Sequence, residues 1–420
     1  MARVMPLSHV RLNSTSNGKI KQKRQIFKNT LLISIGMLTT YSIFVEKNEE
    51  SLAEDVRPTS LPLYIYSYLP LNALSRLWGQ FNSFTLPIYL REPGYRLYST
   101  LFGVNLDEMK DSNLSNYPNL GEFFYRQIKP ECRPIDPIAL VNSPSDGRIL
   151  SFGKVKGDEV EQVKGMTYKL NALLGTDNNN DDQSEIVHAI GDDSIFDESF
   201  HHHFHTNTSK EITTRSATSS GIAKTEKINI GDQSLHPTTA SIYKAAAASN
   251  SIAESTNTDL FYAVIYLAPG DYHRFHSPVT WVTTHRRHFT GQLYSVAPYF
   301  QRTFQNLFVL NERVALLGYW KYGFFSMTPV GATNVGSIKL NFDKDLNTNV
   351  RNKKRNQCIE ASYANASSLL SGRPLLKGEE MGGFKLGSTV VLVFEAPKNF
   401  EFTVKNGDKV KMGQSLGEII

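Results

Sequence analysis

Between Leu71 and Phe84 the apolar positions recur at helical spacing. Leu71, Leu74, Leu77, Trp78, Phe81 and Phe84 fall on one face, which predicts an amphipathic helix. The wider stretch Tyr64–Phe102 is rich in Tyr and Phe. Such a face either packs onto the body of the protein or lies in a lipid interface, where Trp and Tyr are favoured. The pattern alone leaves both open. From Asn119 the period changes. Short β-like runs, Ile149–Val155, Ala263–Leu267, Val279–Val282, Val314–Tyr319 and Val390–Phe394, are separated by Gly, Pro and Asp turns. Near the C-terminus Asn406-Gly407 predicts a tight hairpin. The tail Phe402–Ile419 resembles the end of a biotinyl/lipoyl-type barrel-sandwich without its attachment lysine turn. The expected fold class is mainly β (α+β): a barrel-sandwich-like β domain preceded by a membrane helix and amphipathic helices.

The first 29 residues carry seven Lys/Arg and no acid, the composition of a mitochondrial presequence. An apolar run follows, Thr30–Val45. As a helix it reaches roughly 24 Å, short of a ~30 Å hydrocarbon core, a gap that local thinning and flanking residues close. Glu46, Glu49, Glu50, Glu54 and Asp55 come next. Basic before and acidic after predicts a single-pass anchor with its N-terminus in the matrix and its body in the intermembrane space. The expected division is therefore a matrix segment (1–29), an anchor (30–45), a linker with amphipathic helices (46–118) and a catalytic domain (119–420).

Two stretches interrupt that last domain. Residues 175–259 are rich in Asn, Asp, Ser, Thr and Ala, the composition of a disordered insertion. They include His201, His202, His203 and His205, which lack positioned partners for a metal. Residues 343–373 are polar, with the basic run Lys353-Lys354-Arg355, and read as a solvated loop. Net charge is +5 over 420 residues, consistent with anionic lipid; no nucleic-acid motif accompanies it. Cys132 and Cys358 have no metal-ligand spacing and build no disulfide framework.

The candidate chemistry lies in three segments. Asn142-Ser143-Pro144-Ser145-Asp146-Gly147-Arg148 supplies a carboxylate. Tyr266 to Pro278, with its Asp-Tyr-His-Arg-Phe-His core, supplies His273 and His276. Leu386-Gly387-Ser388-Thr389, ahead of the apolar run Val390–Phe394, supplies a serine. Asp, His and Ser are the parts of a base-activated nucleophile. Glycine before the serine leaves its own carbonyl open to attack. Gly291 to Pro298, Asn311 to Gly323 and Val330 to Ile338 complete an ordered set of blocks. With them, the sequence from about Asn119 onward resembles the phosphatidylserine decarboxylase proenzymes of the membrane-anchored mitochondrial type.

The resemblance implies a self-cutting enzyme. Ser388 attacks the Gly387 carbonyl and the peptide becomes an ester. Loss of the Cα proton of residue 388 expels the ester as a carboxylate, and the dehydroalanine hydrolyses to a ketone and ammonia. The products are a β chain (1–387) and an α chain (388–420) that stay associated, the latter headed by a pyruvoyl group. That group replaces pyridoxal phosphate, with no metal required; it takes the serine headgroup of phosphatidylserine as a Schiff base and stabilises the carbanion left by carbon dioxide. By the same resemblance His276 is the base for Ser388, Asp146 orients it, and His273 positions the carboxylate and returns the proton. Tyr266 lines the pocket, and Thr389 polarises the Gly387 carbonyl or merely starts a strand. Two rival readings are a serine hydrolase using Asp146, His276 and Ser388, and a non-catalytic membrane-bound scaffold. The first lacks Gly-x-Ser-x-Gly around Ser388; the second leaves the Asp, His pair and Ser without a purpose.

Overall fold

Helix α1 spans Leu71–Ser83, one residue less than its apolar spacing predicts. The computed structural model describes residue 66 and residues 69–420, apart from 158, 164–165, 176–184, 189–257, 334–336, 352–356, 368–369 and 386. The presequence, the apolar run Thr30–Val45, the His tract and Lys353-Lys354-Arg355 lie outside the described residues. No described helix is long and apolar enough to cross a membrane.

The orientation of α1 is the reverse of a core helix. Leu71, Ser75 and Asn82 face inward. Asn72 Nδ2 donates to the Gly291 carbonyl at 2.8 Å and Arg76 Nη1 to Asn349 Oδ1 at 3.2 Å. The apolar stripe points outward: Leu77 is 63% exposed and Phe84 67%, with Leu74, Trp78 and Phe81 beside them. Helix α2, Ile88–Phe102, starts after Pro87 and ends at Gly103, whose φ of +72° is the left-handed stop. It also leaves Ile88, Tyr89, Leu90, Leu97, Leu101 and Phe102 exposed. Its inner side builds a small core. Tyr95 stacks on Phe123 of helix α3 (Leu120–Phe124) at 4.5 Å, and Val104, Met109 and Leu114 close around them.

The larger body is β. Nine strands suffice to place the site: β1 Gly147–Lys154, β2 Thr258–Leu267, β3 Arg274–His276, β4 Trp281–Phe289, β5 Arg313–Trp320, β6 Gly323–Val330, β7 Glu380–Phe384, β8 Ser388–Pro397 and β9 Ser415–Ile419. A ten-stranded sheet runs Lys409–Val410, β1, β2, β8, β6, β5, β4, Cys358–Ser362 and Glu185–His188, with Arg373–Leu375 also on β4. Strand β8 is central, antiparallel to β2 on one side and β6 on the other. Its Val390–Phe394 run is fully buried, so an unbroken apolar run marks a strand covered on both faces. Phe394 of this strand packs with Trp320, Phe325 and Trp281, Trp320 meeting both phenylalanines edge to face.

Four expectations change. The described sheets do not close into a barrel, since the large sheet has free ends at Lys409–Val410 and Glu185–His188. The turn at Asn406-Gly407 forms, with Gly407 at φ +93°, but it is no two-residue hairpin. Phe400–Phe402 pairs with β9, and Lys409–Val410 pairs with β1. The turn hands the chain from one sheet to another. Residues 343–373 are not wholly a solvated loop. Asp343 is buried against Arg286 (2.7 Å) and Tyr363 (2.6 Å), and Cys358–Ser362 pairs with β4. The described part of 175–259 likewise adds order: Glu185–His188 is a parallel edge strand on Cys358–Ser362.

Candidate active site

The site forms where two sheets meet. Strand β7 pairs with the histidine-bearing strand β3, Glu380 opposite His276 and Gly383 opposite Arg274. A few residues later the same chain enters the large sheet as β8. Gly383 permits this approach: a β-carbon there would lie 2.7 Å from the His273 carbonyl and from the Tyr125 ring. The Phe384 N–H donates to that carbonyl at 2.9 Å. The Gly387-Ser388 peptide therefore sits at the step from the small sheet to the large one.

His273 is fully buried against Phe124, ring centroids 4.0 Å apart. Its Nδ1 contacts the Asp271 carbonyl at 2.8 Å. A carbonyl only accepts, so Nδ1 carries the proton and Nε2 the lone pair. That Nε2 has no hydrogen-bond partner among the described residues. It faces the scissile junction: a β-carbon on Gly387 would lie 3.7 Å from it. Burial pushes the imidazole down to about 3, so the ring is neutral at physiological pH.

His276 is bound differently. Its Nδ1 donates to the Gly378 carbonyl at 3.0 Å, which leaves Nε2 to accept from the Tyr272 hydroxyl at 3.0 Å. Burial lowers its pKa as well. Asp146 lies nearby, because the His276 N–H donates to the Pro144 carbonyl at 2.7 Å. Its carboxylate, however, is held by Arg133, Nε to Oδ1 at 2.8 Å and Nη2 to Oδ2 at 2.5 Å, and it accepts the Met412 N–H at 2.9 Å. Arg133 in turn bridges to Glu108 at 2.7 Å. Asp146 and His276 are thus neighbours joined by backbone, and no hydrogen bond links their side chains.

Ser388 Oγ is buried and has no hydrogen-bond partner among the described residues. The structure therefore brings His273, Gly387 and Ser388 together. It does not link Asp146, His276 and Ser388 as a hydrogen-bonded triad. Strand alternation separates two further candidates. Ser388 lies opposite Leu267, whereas Thr389 lies opposite Tyr266 and Val330. Successive residues of a strand face opposite ways, so Tyr266 and Thr389 share the face that Ser388 does not. Arg133, Tyr272 and Phe124 escaped sequence reading. Tyr272 stood inside the quoted motif, but nothing local ties position 133 to 146 or position 124 to 273.

The profile of the family described as phosphatidylserine decarboxylase matches residues 120–232 and 200–418. The chain belongs to the phosphatidylserine decarboxylase family. It is 56% identical over 376 residues to phosphatidylserine decarboxylase proenzyme 1, mitochondrial, of Saccharomyces cerevisiae, covering 85% of this chain and 74% of that protein. It is 45% identical over 473 residues to the proenzyme 1 of Candida albicans, covering 95% and 78%. The mitochondrial proenzyme of Pongo abelii is 40% identical over 382 residues, covering 90% and 80%. The match takes in all three segments that carry the candidate chemistry. Among the described residues no group of His, Cys, Asp or Glu is arranged to hold a metal ion.

Proposed function

We propose that this chain is a mitochondrial proenzyme that cuts itself between Gly387 and Ser388, forms a pyruvoyl group from Ser388, and decarboxylates phosphatidylserine to phosphatidylethanolamine. The observation that carries this reading is the unpartnered Nε2 of a neutral, buried His273 against a Gly-Ser peptide, in a chain whose relatives are named as proenzymes of that activity.

The surroundings of residue 388 fit a reactive carbonyl. They are buried, bounded by Leu267, Gly387 and the face of β8, and an electrophile there is protected from bulk water. When formed, the pyruvoyl group supplies an electron sink. The chain's own residues do the rest. His273 Nε2 is placed to position the substrate carboxylate and to serve the return of a proton at Cα. His276, with Nε2 as its basic atom, is the candidate base for Ser388 once Tyr272 releases it. Asp146 sets the charge beside His276, and Arg133 holds Asp146 in place. Cutting at Gly387 leaves the small chain clasped, because β8 lies between β2 and β6, and β9 lies between Val141–Asn142 and Phe400–Phe402.

The test is intact mass. The active protein should contain a fragment beginning at residue 388 with a blocked amino end, and a partner ending at Gly387. An active preparation made only of uncut chain would overturn the reading.

A membrane location is part of the proposal. The outward apolar stripe on α1 and α2 supports contact with the lipid surface that holds the substrate, and the N-terminal charge pattern supports an inner-membrane anchor with the catalytic body in the intermembrane space. Burying a Leu or Phe in lipid contributes ~1.5–3 kcal/mol. Leu77→Glu with Phe81→Glu should therefore lower turnover of bilayer phosphatidylserine by about tenfold or more. Turnover of a monomeric short-chain phosphatidylserine should stay at the wild-type level. Equal loss on both substrates would assign the stripe to the fold.

A further inference from the structure

Five arginines of the described body are buried; three are ion-paired with carboxylates and a fourth is held by carbonyls. Arg133 meets Asp146 and Glu108, Arg286 meets Asp343, and Arg287 meets Glu360. Arg313 donates to the Leu173, Ala172 and Val309 carbonyls and lies over the Phe289 ring. Arg126 is different. It is 4% exposed, lies 5.7 Å over the Phe123 ring, and has no carboxylate within ion-pair distance among the described residues. Its Nη2 donates to the Gly270 carbonyl at 3.0 Å and the Asp271 carbonyl at 3.3 Å. Its Nε and Nη1 are buried with no hydrogen-bond partner among the described residues. The carboxylates that act on it from a distance are engaged elsewhere, Asp271 by the Ala268 N–H and Asp146 by Arg133. A buried guanidinium with two idle nitrogens and no carboxylate in contact is costly to the fold, and such sites concentrate where ligands bind.

The position is telling. The Asp271 carbonyl accepts from both Arg126 Nη2 and His273 Nδ1. The cation is therefore one carbonyl away from the ring whose other nitrogen faces Gly387. Helix α2 covers it: the Tyr98 hydroxyl donates to the Pro269 carbonyl at 3.0 Å, and the exposed Leu97, Leu101 and Phe102 lie on the same helix.

We propose that Arg126 binds the phosphodiester of the substrate's serine headgroup. This rests on the reading of residue 388 as the reactive centre. The headgroup offers two anions, and the chemistry selects between them. The carboxylate must shed its charge as carbon dioxide, so a cation holding it would favour the ground state over the transition state. The phosphodiester keeps its charge throughout. It joins the reacting carbon through one CH2 and one oxygen, so it lies close to that carbon, toward the lipid-bearing side. The planar fork of arginine suits its paired oxygens.

The experiment compares two substrates on the full-length protein and on Arg126→Gln and Arg126→Lys. One substrate is a short-chain phosphatidylserine, the other a serine alkyl ether without the phosphodiester. A gel first establishes self-cleavage. Arg126→Gln should lower kcat/KM for phosphatidylserine by about 10²-fold, mostly through KM, because the contact is the same in ground and transition states. Turnover of the ether should be unchanged, and Arg126→Lys should recover part of the loss. Equal loss on both substrates overturns the proposal and makes Arg126 a clamp for the Gly270 and Asp271 carbonyls. So does failure of both variants to cut while the wild type cuts. If millimolar inorganic phosphate inhibits the wild type through Arg126 while lipid turnover is indifferent to the substitution, the site serves free phosphate and the proposal falls. An uncut, inactive wild type would instead sink the underlying reading of Ser388.

Discussion

Ser388→Ala is expected to accumulate as one uncut chain with no decarboxylase activity. The argument is local. Ser388 Oγ is the hydroxyl that attacks the preceding carbonyl, and Ala removes it without adding bulk. The site is buried and Oγ has no hydrogen-bond partner among the described residues, so its loss strands nothing and the fold should survive. His276→Ala should slow cutting by ~10²–10⁴, the usual worth of a general base. Asp146 needs more care. Its carboxylate shares a buried guanidinium with Glu108, so losing its charge should cost stability, though less than the roughly 3–5 kcal/mol of a buried pair left with no partner at all. Asp146→Asn should therefore be followed by unfolding as well as by gel. An uncut chain of near wild-type stability supports a role in cleavage. An uncut chain of collapsed stability makes Asp146 a structural partner of Arg133. Normal cutting of Ser388→Ala would refute the cleavage site outright.

His273→Ala should separate the two reactions. The chain should still cut at Gly387-Ser388 and form the pyruvoyl end, yet release labelled carbon dioxide from carboxyl-labelled lipid at a rate ~10²–10⁴ lower. An uncut variant, or one cut and fully active, would each end this division of labour. The protonation state sharpens the expectation. With its pKa depressed to about 3 by burial, His273 is neutral in the free enzyme across the working range. It contributes no rising limb to the kcat/KM profile between about pH 5 and 8, where an ordinary histidine would. Stability carries the same sign. The unfolded chain takes up a proton near the usual 6.5, whereas the folded chain does not until about 3. Folding is therefore penalised as pH falls through that window, by up to about 1.4 kcal/mol per unit. Denaturant midpoints of the uncut Ser388→Ala chain, with and without His273→Ala, should diverge as pH falls from 7 to 4, the variant without His273 losing less.

Several elements were legible from residue order because their signals are local. The spacing of Leu74, Leu77, Trp78 and Phe81 is enough for α1, and the run Val390–Phe394 is enough for the buried centre of β8. The three segments bearing Asp146, His273, His276 and Ser388 stood out as words in an ordered set. The turn at Asn406-Gly407 was equally plain, since glycine tolerates the φ it needs.

What followed those elements was not local. Amphipathicity says that one face of α1 is apolar, not which way it points; the contacts of Asn72 and Arg76 with Gly291 and Asn349 turn that face outward. The Asn-Gly turn says nothing about pairing, and its flanking strands join different sheets. Asp146 and Arg133 meet because the loop before β1 packs against the chain ahead of it, while Glu108 closes the bridge from farther back. Residue types and their order were sufficient to name the parts: a serine after glycine, two histidines, a carboxylate. Which nitrogen faces which bond was decided by tertiary structure. Long-range strand pairing set β3 beside β7 and burial left His273 Nε2 without a hydrogen-bond partner among the described residues, and neither has any trace in the neighbouring sequence.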